Sequence, residues 1–215
     1  MIEQSFNIPI RFDLFATFVF GVTGALVALQ RGYDIVGLFA VAFVSGVGGG
    51  LIRDGVFTQG SAPMVATDGR YIVVILLSCL VGYFFINTVK RLTKAIAILD
   101  AAGLGAYAVV GVQKSLGAGL SVPAAVLVGV INAVGGGLLR DLLVREEPLL
   151  LKPGQFYALA ALTGCLLFVI LIVYFKMHPP QAGIITVLVT FVIRVLAITF
   201  NWRTPALYRP DTPGR

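Results

Sequence analysis

A seven-residue motif occurs twice in the chain and is the pattern best suited to a chemical role. Residues 48–54 read Gly-Gly-Gly-Leu-Ile-Arg-Asp, and residues 135–141 read Gly-Gly-Gly-Leu-Leu-Arg-Asp. Each glycine costs roughly 1 kcal/mol relative to alanine inside a helix, so a purely structural span gains nothing from three in a row. The candidate functional centre is therefore formed by Gly48, Gly49 and Gly50 together with Gly135, Gly136 and Gly137.

Two interpretations of these triplets stay open. Gly46 with Gly50, and Ala133 with Gly137, form pairs of small residues that let two membrane helices touch. Alternatively, each triplet forms a kinked or unwound turn at mid-membrane, where freed carbonyls replace part of a cation's water shell. We favour the second interpretation because the feature occurs once in each half of the chain. Straight, dry and tightly packed triplets would contradict it.

An arginine–aspartate pair follows each triplet. The first pair is Arg53-Asp54 and the second is Arg140-Asp141, after which the apolar run continues. Ionisable groups at membrane depth are expensive, and they usually face protein or water. The pairs therefore predict either ion pairs that lock the helices together or a charged gate on an ion pathway.

Five further polar residues lie inside or at the start of apolar runs. Asp13 and Asp100 begin the first and fourth runs, where a carboxylate either complements the helix dipole or attracts cations into a vestibule. Ser45 and Asn132 precede the triplets by one turn, and they either line a polar lumen or form hydrogen bonds between helices. Arg194 lies in the last run, and pairing with an aspartate is the role we favour over snorkelling.

The elements that carry these residues are predicted to be membrane-spanning helices. The chain of 215 residues is 58% hydrophobic and 12% charged, with a mean hydropathy of +0.96. This composition excludes a cytosolic enzyme, a disordered chain and a disulfide-rich secreted domain. Seven apolar runs approach the length that crosses a bilayer as a helix. They cover 13–30, 35–52, 71–89, 97–116, 122–143, 156–175 and 182–200.

The two halves of the chain are copies of one unit. Residues 13–54 superpose on residues 100–141 without a gap, and the match includes both motifs and both aspartates. Each copy holds three spans, so the second copy enters the membrane from the opposite side, as in transport folds with inverted repeats. We therefore expect an all-α fold in a single membrane domain, 1–215. Its parts are a first repeat at about 12–89, a second at about 97–175, a seventh helix at about 182–200 and a tail at 204–215.

The distribution of Lys and Arg predicts the topology. Fewer basic residues lie on the side of the N-terminus than on the other side, which places the N-terminus outside and the C-terminus in the cytoplasm. A multi-pass protein of the cell (inner) membrane follows, with membrane lipid as its partner. The single histidine leaves little for acid–base catalysis, so no enzyme is expected. We expect no nucleic-acid partner, no metal beyond permeant potassium or sodium, and no cofactor; bound lipid stays an open option.

With these motifs the chain resembles prokaryotic members of the trimeric intracellular cation (TRIC) channel family. The resemblance covers roughly residues 12–205, and it rests on the paired motifs, on 99–104 and on Arg194 with Trp202. It implies seven helices in an inverted three-plus-three repeat with one extra helix, a homotrimer, and a potassium-permeable pore in each protomer lined by kinked second and fifth helices. Prokaryotic relatives are also described as glycine transporters, so a secondary carrier of a small solute is the alternative.

Overall fold

A computed structural model describes residues 9–58, 62–87, 92–152 and 156–202, and these parts of the chain form a helical bundle. The tail at 204–215 lies outside the described residues. The helices are α1 (Arg11–Gln30), α2 (Ile35–Ile52), α3 (Met64–Thr67), α4 (Arg70–Phe85), α5 (Leu92–Gly117), α6 (Val122–Leu143), α7 (Tyr157–Val169) and α8 (Pro179–Thr199). Helix α2 continues as a π-helical segment, Arg53–Phe57, and α7 continues as another, Ile170–Tyr174.

The seven predicted spans are confirmed as seven apolar helices. Six helices are long and apolar enough to cross a membrane, and α4 is a shorter apolar helix in the position of the third span. Helix α3, with four residues, lies between the second and third spans and was not predicted. The side chains that α4 and α8 leave exposed are mainly large and apolar, as lipid-facing positions require.

Local signals explain where these helices begin and end. The side chain of Asp34 accepts a hydrogen bond of 2.8 Å from the backbone N–H of Gly37, which caps the start of α2. Prolines occupy the first turns of α6 and α8, where a missing N–H leaves no bond unmade. Gly32 and Gly119, which match in the duplication, follow α1 and α5 with φ of +71° and +81°. This left-handed conformation favours glycine, so the same turn ends the first helix of each copy.

The packing of the helices repeats in the two halves. Helix α1 packs against α2 and α4, and in the same way α5 packs against α6 and α7. The halves meet where α1 contacts α5 and where α2 contacts α6, and α8 packs against α5 and α7. Helices α1 and α5 are the most deeply buried of the spans. The duplicated sequence thus folds into two similar three-helix units, with the motif-bearing α2 and α6 facing each other.

The prediction for the glycine triplets is a kinked or unwound turn; the unwound turn is wrong, and the kink stays a prediction. Gly48, Gly49 and Gly50 lie within the continuous α-helix α2, and the second triplet lies within α6. The carbonyls of Gly49 and Gly50 accept hydrogen bonds from the backbone N–H of Arg53, so they are part of the helical ladder. In the first copy the α-helix changes to a π-helical segment, Arg53–Phe57, which follows the triplet and two further residues. In the second copy α6 stays α-helical past the matching arginine.

Candidate functional site

The two glycine triplets form the point where α2 and α6 cross. A Cβ atom on Gly49 would overlap the backbone oxygen of Asn132, and a Cβ on Gly136 would overlap the backbone oxygen of Ser45. Gly49 matches Gly136 in the duplication, and Ser45 matches Asn132, so the two contacts are reciprocal. The triplets therefore serve close helix packing, as the first of the two interpretations expects. The residues in contact at this crossing are Gly49 and Gly136, however, and not the predicted pairs of Gly46 with Gly50 and Ala133 with Gly137. Gly135 lies in the same crossing, with its added Cβ 3.0 Å from the Cα of Gly49.

Ser45 and Asn132 form hydrogen bonds between helices in this arrangement. The Ser45 hydroxyl donates to the carbonyl of Phe20 at 2.7 Å, and the Asn132 amide donates to the carbonyl of Tyr107 at 2.7 Å. Phe20 and Tyr107 also match in the duplication, and their rings stack with centroids 5.5 Å apart. Each motif helix is thereby tied to the first helix of its own repeat, and two aromatic rings fill the space between the repeats.

Arg53 is buried at one end of the crossing, with 1% of its surface exposed. Its Nε donates to Oδ1 of Asp54 at 2.6 Å, and its Nη1 donates to the side-chain oxygen of Asn132 at 3.1 Å. The other carboxylate oxygen of Asp54 accepts the backbone N–H of Met64 at 3.3 Å. Arg53 and Asp54 thus form an ion pair, and Asp54 also binds the first residue of α3.

Arg140 occupies the matching position at the other end and is 2% exposed. It pairs with Asp141 at 2.9 Å and with both carboxylate oxygens of Asp100 at 2.9 and 3.1 Å. It also donates to the Thr23 hydroxyl at 2.9 Å. Asp141 in turn accepts the backbone N–H of Leu149 at 3.1 Å. Both arginine–aspartate pairs are therefore confirmed as ion pairs, and the second spans α1, α5 and α6.

Asp13 and Asp100 match in the sequence but have different surroundings. Asp13 lies in the first turn of α1, and it accepts hydrogen bonds from the Tyr71 hydroxyl at 2.7 Å and from Lys114 at 2.9 Å. Asp100 lies inside α5, because that helix begins at Leu92, five residues before the predicted start of the fourth span at residue 97. The helix-dipole interpretation thus fits Asp13 and is wrong for Asp100, whose carboxylate neutralises a buried arginine.

Arg194 of α8 lies against the second repeat. Its guanidinium group is 5.0 Å from the ring centroid of Tyr157, which is the geometry of a cation–π contact. Pairing of Arg194 with an aspartate stays a prediction. Tyr157 is buried, and its hydroxyl has no hydrogen-bond partner among the described residues.

Two cavities enter the bundle from opposite ends. The first, the Asp13 cavity, has a volume of about 290 Å³ and is lined by Pro9, Ile10, Asp13, Met64, Val110, Gln113 and Lys114. The second, the Arg140 cavity, has a volume of about 320 Å³ and includes Val27, Lys94, Asp141, Lys152 and Arg194 with Arg140. Asp13 and Val27 lie on the same helix, about 21 Å apart along its axis. The cavities thus face the two sides of the membrane.

The region between the cavities is closed by the residues described above. A small cavity of about 10 Å³, with room for about one water molecule, is lined by Asp13, Gly50, Arg53, Tyr71 and Tyr107 among others. Beyond it lie the stacked rings and the glycine crossing. At the other end, Arg140 and its aspartates close the Arg140 cavity. Among the described residues, no group of three or more His, Cys, Asp or Glu side chains could hold a metal ion.

Sequence reasoning missed the tyrosines of this site. Tyr71 and Tyr157 match in the duplication with the same one-residue slip as Cys79 and Cys165. Extending the alignment of the two copies through the third span would have paired them and marked both as candidates. Tyr107 pairs with Phe20 in the ungapped part of the match, where only its hydroxyl distinguishes it.

Comparison with known proteins identifies the family. A family model described as "Glycine transporter" matches the chain twice, over residues 10–87 and 97–172. The UPF0126 inner membrane protein YadS of Escherichia coli is 32% identical over 94% of this chain and 97% of its own length. The UPF0126 membrane protein YvgT of Bacillus subtilis is 33% identical over 86% of this chain and 90% of its own.

Solved structures match as well. The TRIC trimeric intracellular cation channel orthologue from Rhodobacter sphaeroides superposes with a TM-score of 0.83 and is 34% identical, covering 89% of this chain and 97% of its own. The chain belongs to the prokaryotic TRIC channel family. A second TRIC cation channel superposes with a TM-score of 0.82 at 29% identity, covering 96% of this chain and 100% of its own. This TRIC-family chain is a multi-pass inner membrane protein and not an enzyme, as predicted.

Proposed function

We propose that this chain is a monovalent cation channel with potassium as its permeant ion and one pore inside each protomer. The observation that carries the proposal is the pair of cavities that run from opposite ends of the bundle towards the α2–α6 crossing. A pathway through the protomer needs such an opening on each side of the membrane. The TRIC cation channels that the chain resembles support the choice of a cation as the permeant species.

The present arrangement is a closed one, and the two arginine–aspartate pairs act as its gates. Arg53 lines the small cavity next to the Asp13 cavity, and Arg140 lines the inner part of the Arg140 cavity. Because each arginine is held by at least one aspartate, neither can leave its position without breaking an ion pair. Opening therefore requires α2 and α6 to move apart at the crossing, where glycines allow the two backbones to slide past each other.

We also propose that the two repeats are inverted and that three chains assemble into a homotrimer in the lipid membrane. The reciprocal contacts of Gly49 with Asn132 and of Gly136 with Ser45 are those that a two-fold axis between the repeats requires. The name of the Rhodobacter sphaeroides relative, a trimeric channel, supports the trimer. Positive charge supports a cytoplasmic location for the Arg140 cavity, which contains two lysines and two arginines against two acids.

The channel is tested by potassium flux from liposomes that contain the purified protein. With a potassium gradient, we expect potassium efflux that is much faster than from protein-free liposomes, together with negligible flux of chloride. Chloride flux equal to that of potassium, or liposomes that stay sealed to both ions, would contradict the proposal. The same preparation in planar bilayers should give discrete current steps.

A secondary carrier of glycine is the second candidate, and one observation favours it. The carboxylate of Asp13 and the ammonium group of Lys114 line the same cavity, 2.9 Å apart. A zwitterionic amino acid presents the opposite pair of charges and could bind between them by exchanging partners. Saturable uptake of labelled glycine, without current steps in bilayers, would favour the carrier over the channel. Glycine uptake that also disappears in Asp13→Asn would assign it to this cavity.

The orientation is tested with single cysteines on opposite sides of the predicted membrane. Arg11→Cys is exposed next to the Asp13 cavity, and Glu147→Cys is exposed in the loop next to the Arg140 cavity. In intact spheroplasts, a membrane-impermeant maleimide should label the cysteine at position 11, and it should label the one at 147 only after lysis. The wild-type protein is the control, since Cys79 and Cys165 lie within helices. The reverse labelling pattern would place the N-terminus in the cytoplasm.

A further inference from the structure

The hydroxyl of Tyr107 connects three helices at the centre of the molecule. Tyr107 belongs to α5 and is 1% exposed. Its hydroxyl donates to the backbone carbonyl of Gly46 in α2. Because the phenolic proton is used in this bond, the 2.8 Å contact with Thr17 of α1 has the Thr17 hydroxyl as its donor. A residue of the second repeat thus fastens two helices of the first repeat.

The matching position in the other repeat has no such bond. Phe20 matches Tyr107 but has no hydroxyl, and Leu104, which matches Thr17, has no polar side-chain atom. The carbonyl that matches that of Gly46 belongs to Ala133. The bonds from Ser45 and Asn132 to the first helices are present in both repeats, with equal lengths of 2.7 Å. The fastening by Tyr107 is therefore a difference between two otherwise similar halves.

The Gly46 carbonyl, which accepts the bond from Tyr107, belongs to α2, one of the two helices that must move when the channel opens. Gly46 lies one turn before the glycine crossing of α2, inside the continuous α-helix, so its carbonyl also has its place in the helical ladder. The bond from Tyr107 is an additional one, and α2 can lose it without losing its own helical structure. Tyr107 also lines the small cavity together with Arg53 and Asp13, and its ring blocks the way from there towards Phe20.

We propose that the Tyr107 hydroxyl is a latch that holds α2 in the closed position, so that the two ends of the pathway open unequally. The proposal rests on the proposed channel function. With this latch, opening at the Arg53 end requires the bond from Tyr107 to the Gly46 carbonyl to break. The Arg140 end has no corresponding bond to the carbonyl of Ala133. Tyr107 is a positioning residue: it acts on the equilibrium between closed and open states through the position of α2.

Single-channel recording of Tyr107→Phe tests the latch. Losing one net hydrogen bond from the closed state should raise the ratio of open to closed time roughly five- to tenfold. The ring that lines the pathway remains, so the size of the current steps should not change. If Tyr107 acted through packing alone, we would not expect its substitution to change the open time while leaving the size of the current steps unchanged.

Two further variants complete the test. Phe20→Tyr supplies the missing hydroxyl at the position that matches Tyr107, where the duplication predicts the carbonyl of Ala133 as its acceptor. It should lower the ratio of open to closed time. Thr17→Val removes only the donor to the Tyr107 hydroxyl, and it should raise the ratio by a smaller factor than Tyr107→Phe. If Tyr107→Phe does not fold, as judged by its elution in gel filtration, the Thr17 and Phe20 variants decide the question in the same recordings.

The outcomes separate this inference from the channel function. A wild-type protein that conducts cations, with gating that does not change in folded Tyr107→Phe and Thr17→Val, would overturn the latch and leave the channel in place. Current steps that become smaller while the open time stays constant would also overturn it, because they place Tyr107 in the permeation path only. A wild-type protein that gives no cation current would overturn both the channel and the latch.

Discussion

Gly49→Ala is expected to destabilise this protein strongly, although it is the mildest substitution that glycine allows. The added methyl group would overlap the backbone oxygen of Asn132, and a backbone oxygen cannot rotate away as a side chain can. Overpacking of this kind costs about 3 kcal/mol. Gly136→Ala should have a similar effect, since its Cβ would overlap the backbone oxygen of Ser45. Thermal unfolding in detergent should show a midpoint lowered by roughly 10 °C in either variant.

The same triplet provides the matched control. A Cβ on Gly50 would meet one atom, the Nη2 of Arg53, at an ordinary contact distance of 3.6 Å. Gly50→Ala should therefore leave the unfolding midpoint within a few degrees of wild type, or raise it, because alanine favours the helix. If the Gly49 and Gly50 variants were equally stable, the close crossing of α2 and α6 would be disproved, and an open or unwound triplet would again be possible.

Asp100→Asn is the second change with a large expected effect. The substitution keeps the size of the side chain but removes a charge from a carboxylate that is 1% exposed and holds both terminal nitrogens of Arg140. Breaking a buried ion pair by removing one partner destabilises proteins by about 3–5 kcal/mol, because the other charge stays buried. Asp141 still pairs with Arg140 at 2.9 Å in this variant, so we expect a loss near the lower end of that range. We expect a folded fraction well below that of wild type, measured by gel filtration and by thermal unfolding.

A triple variant distinguishes the ion pairs from packing. Adding Arg140→Met and Asp141→Asn to the Asp100→Asn background removes the buried arginine charge together with the aspartate that would otherwise lose its partner, so the triple variant should be more stable than the Asp100→Asn protein. The control is Asp68→Asn, which breaks the surface pair with Arg70 and should have no measurable effect. A triple variant less stable than the Asp100→Asn protein would mean that Arg140 contributes mainly through packing.

The sequence predicts the spans and the duplication of this protein well, for a physical reason. A lipid environment requires long apolar helices, so the spans can be counted from hydropathy alone. The identity of Arg53-Asp54 with Arg140-Asp141 behind matching glycines cannot arise from apolar composition, so the duplication is visible without a structure. The cost of an unpaired charge in a membrane also makes ion pairing within each motif one of the two roles that the sequence leaves open.

The role of the triplets could not be decided in this way. Glycine both weakens a helix and lets another backbone approach it, so the residue type alone fits an unwound turn as well as a close crossing. The deciding information is the partner of each glycine, and the partner of Gly49 is a backbone oxygen of Asn132 in the other repeat. Contacts of this kind depend on how the two halves pack against each other, and the sequence of one half alone does not determine that packing.

The surroundings of Asp13 and Asp100 illustrate a second limit. Equal residues at matched positions suggest equal roles, but Asp13 binds a tyrosine and a lysine, whereas Asp100 binds an arginine. One part of the difference is visible in the sequence, because the residue that matches Lys114 in the first repeat is Val27. Duplication therefore predicts which residues matter more reliably than it predicts their partners.

The bonds from Asp54 to Met64 and from Asp141 to Leu149 couple each motif helix mechanically to the segment that follows it. In both repeats the arginine engages one carboxylate oxygen and a backbone N–H farther along the chain engages the other. A displacement of the end of α2 or α6 must therefore also move the segment that contains Met64 or Leu149. A fluorophore attached to such a segment, far from any permeating ion, would report helix motion without touching the conduction route.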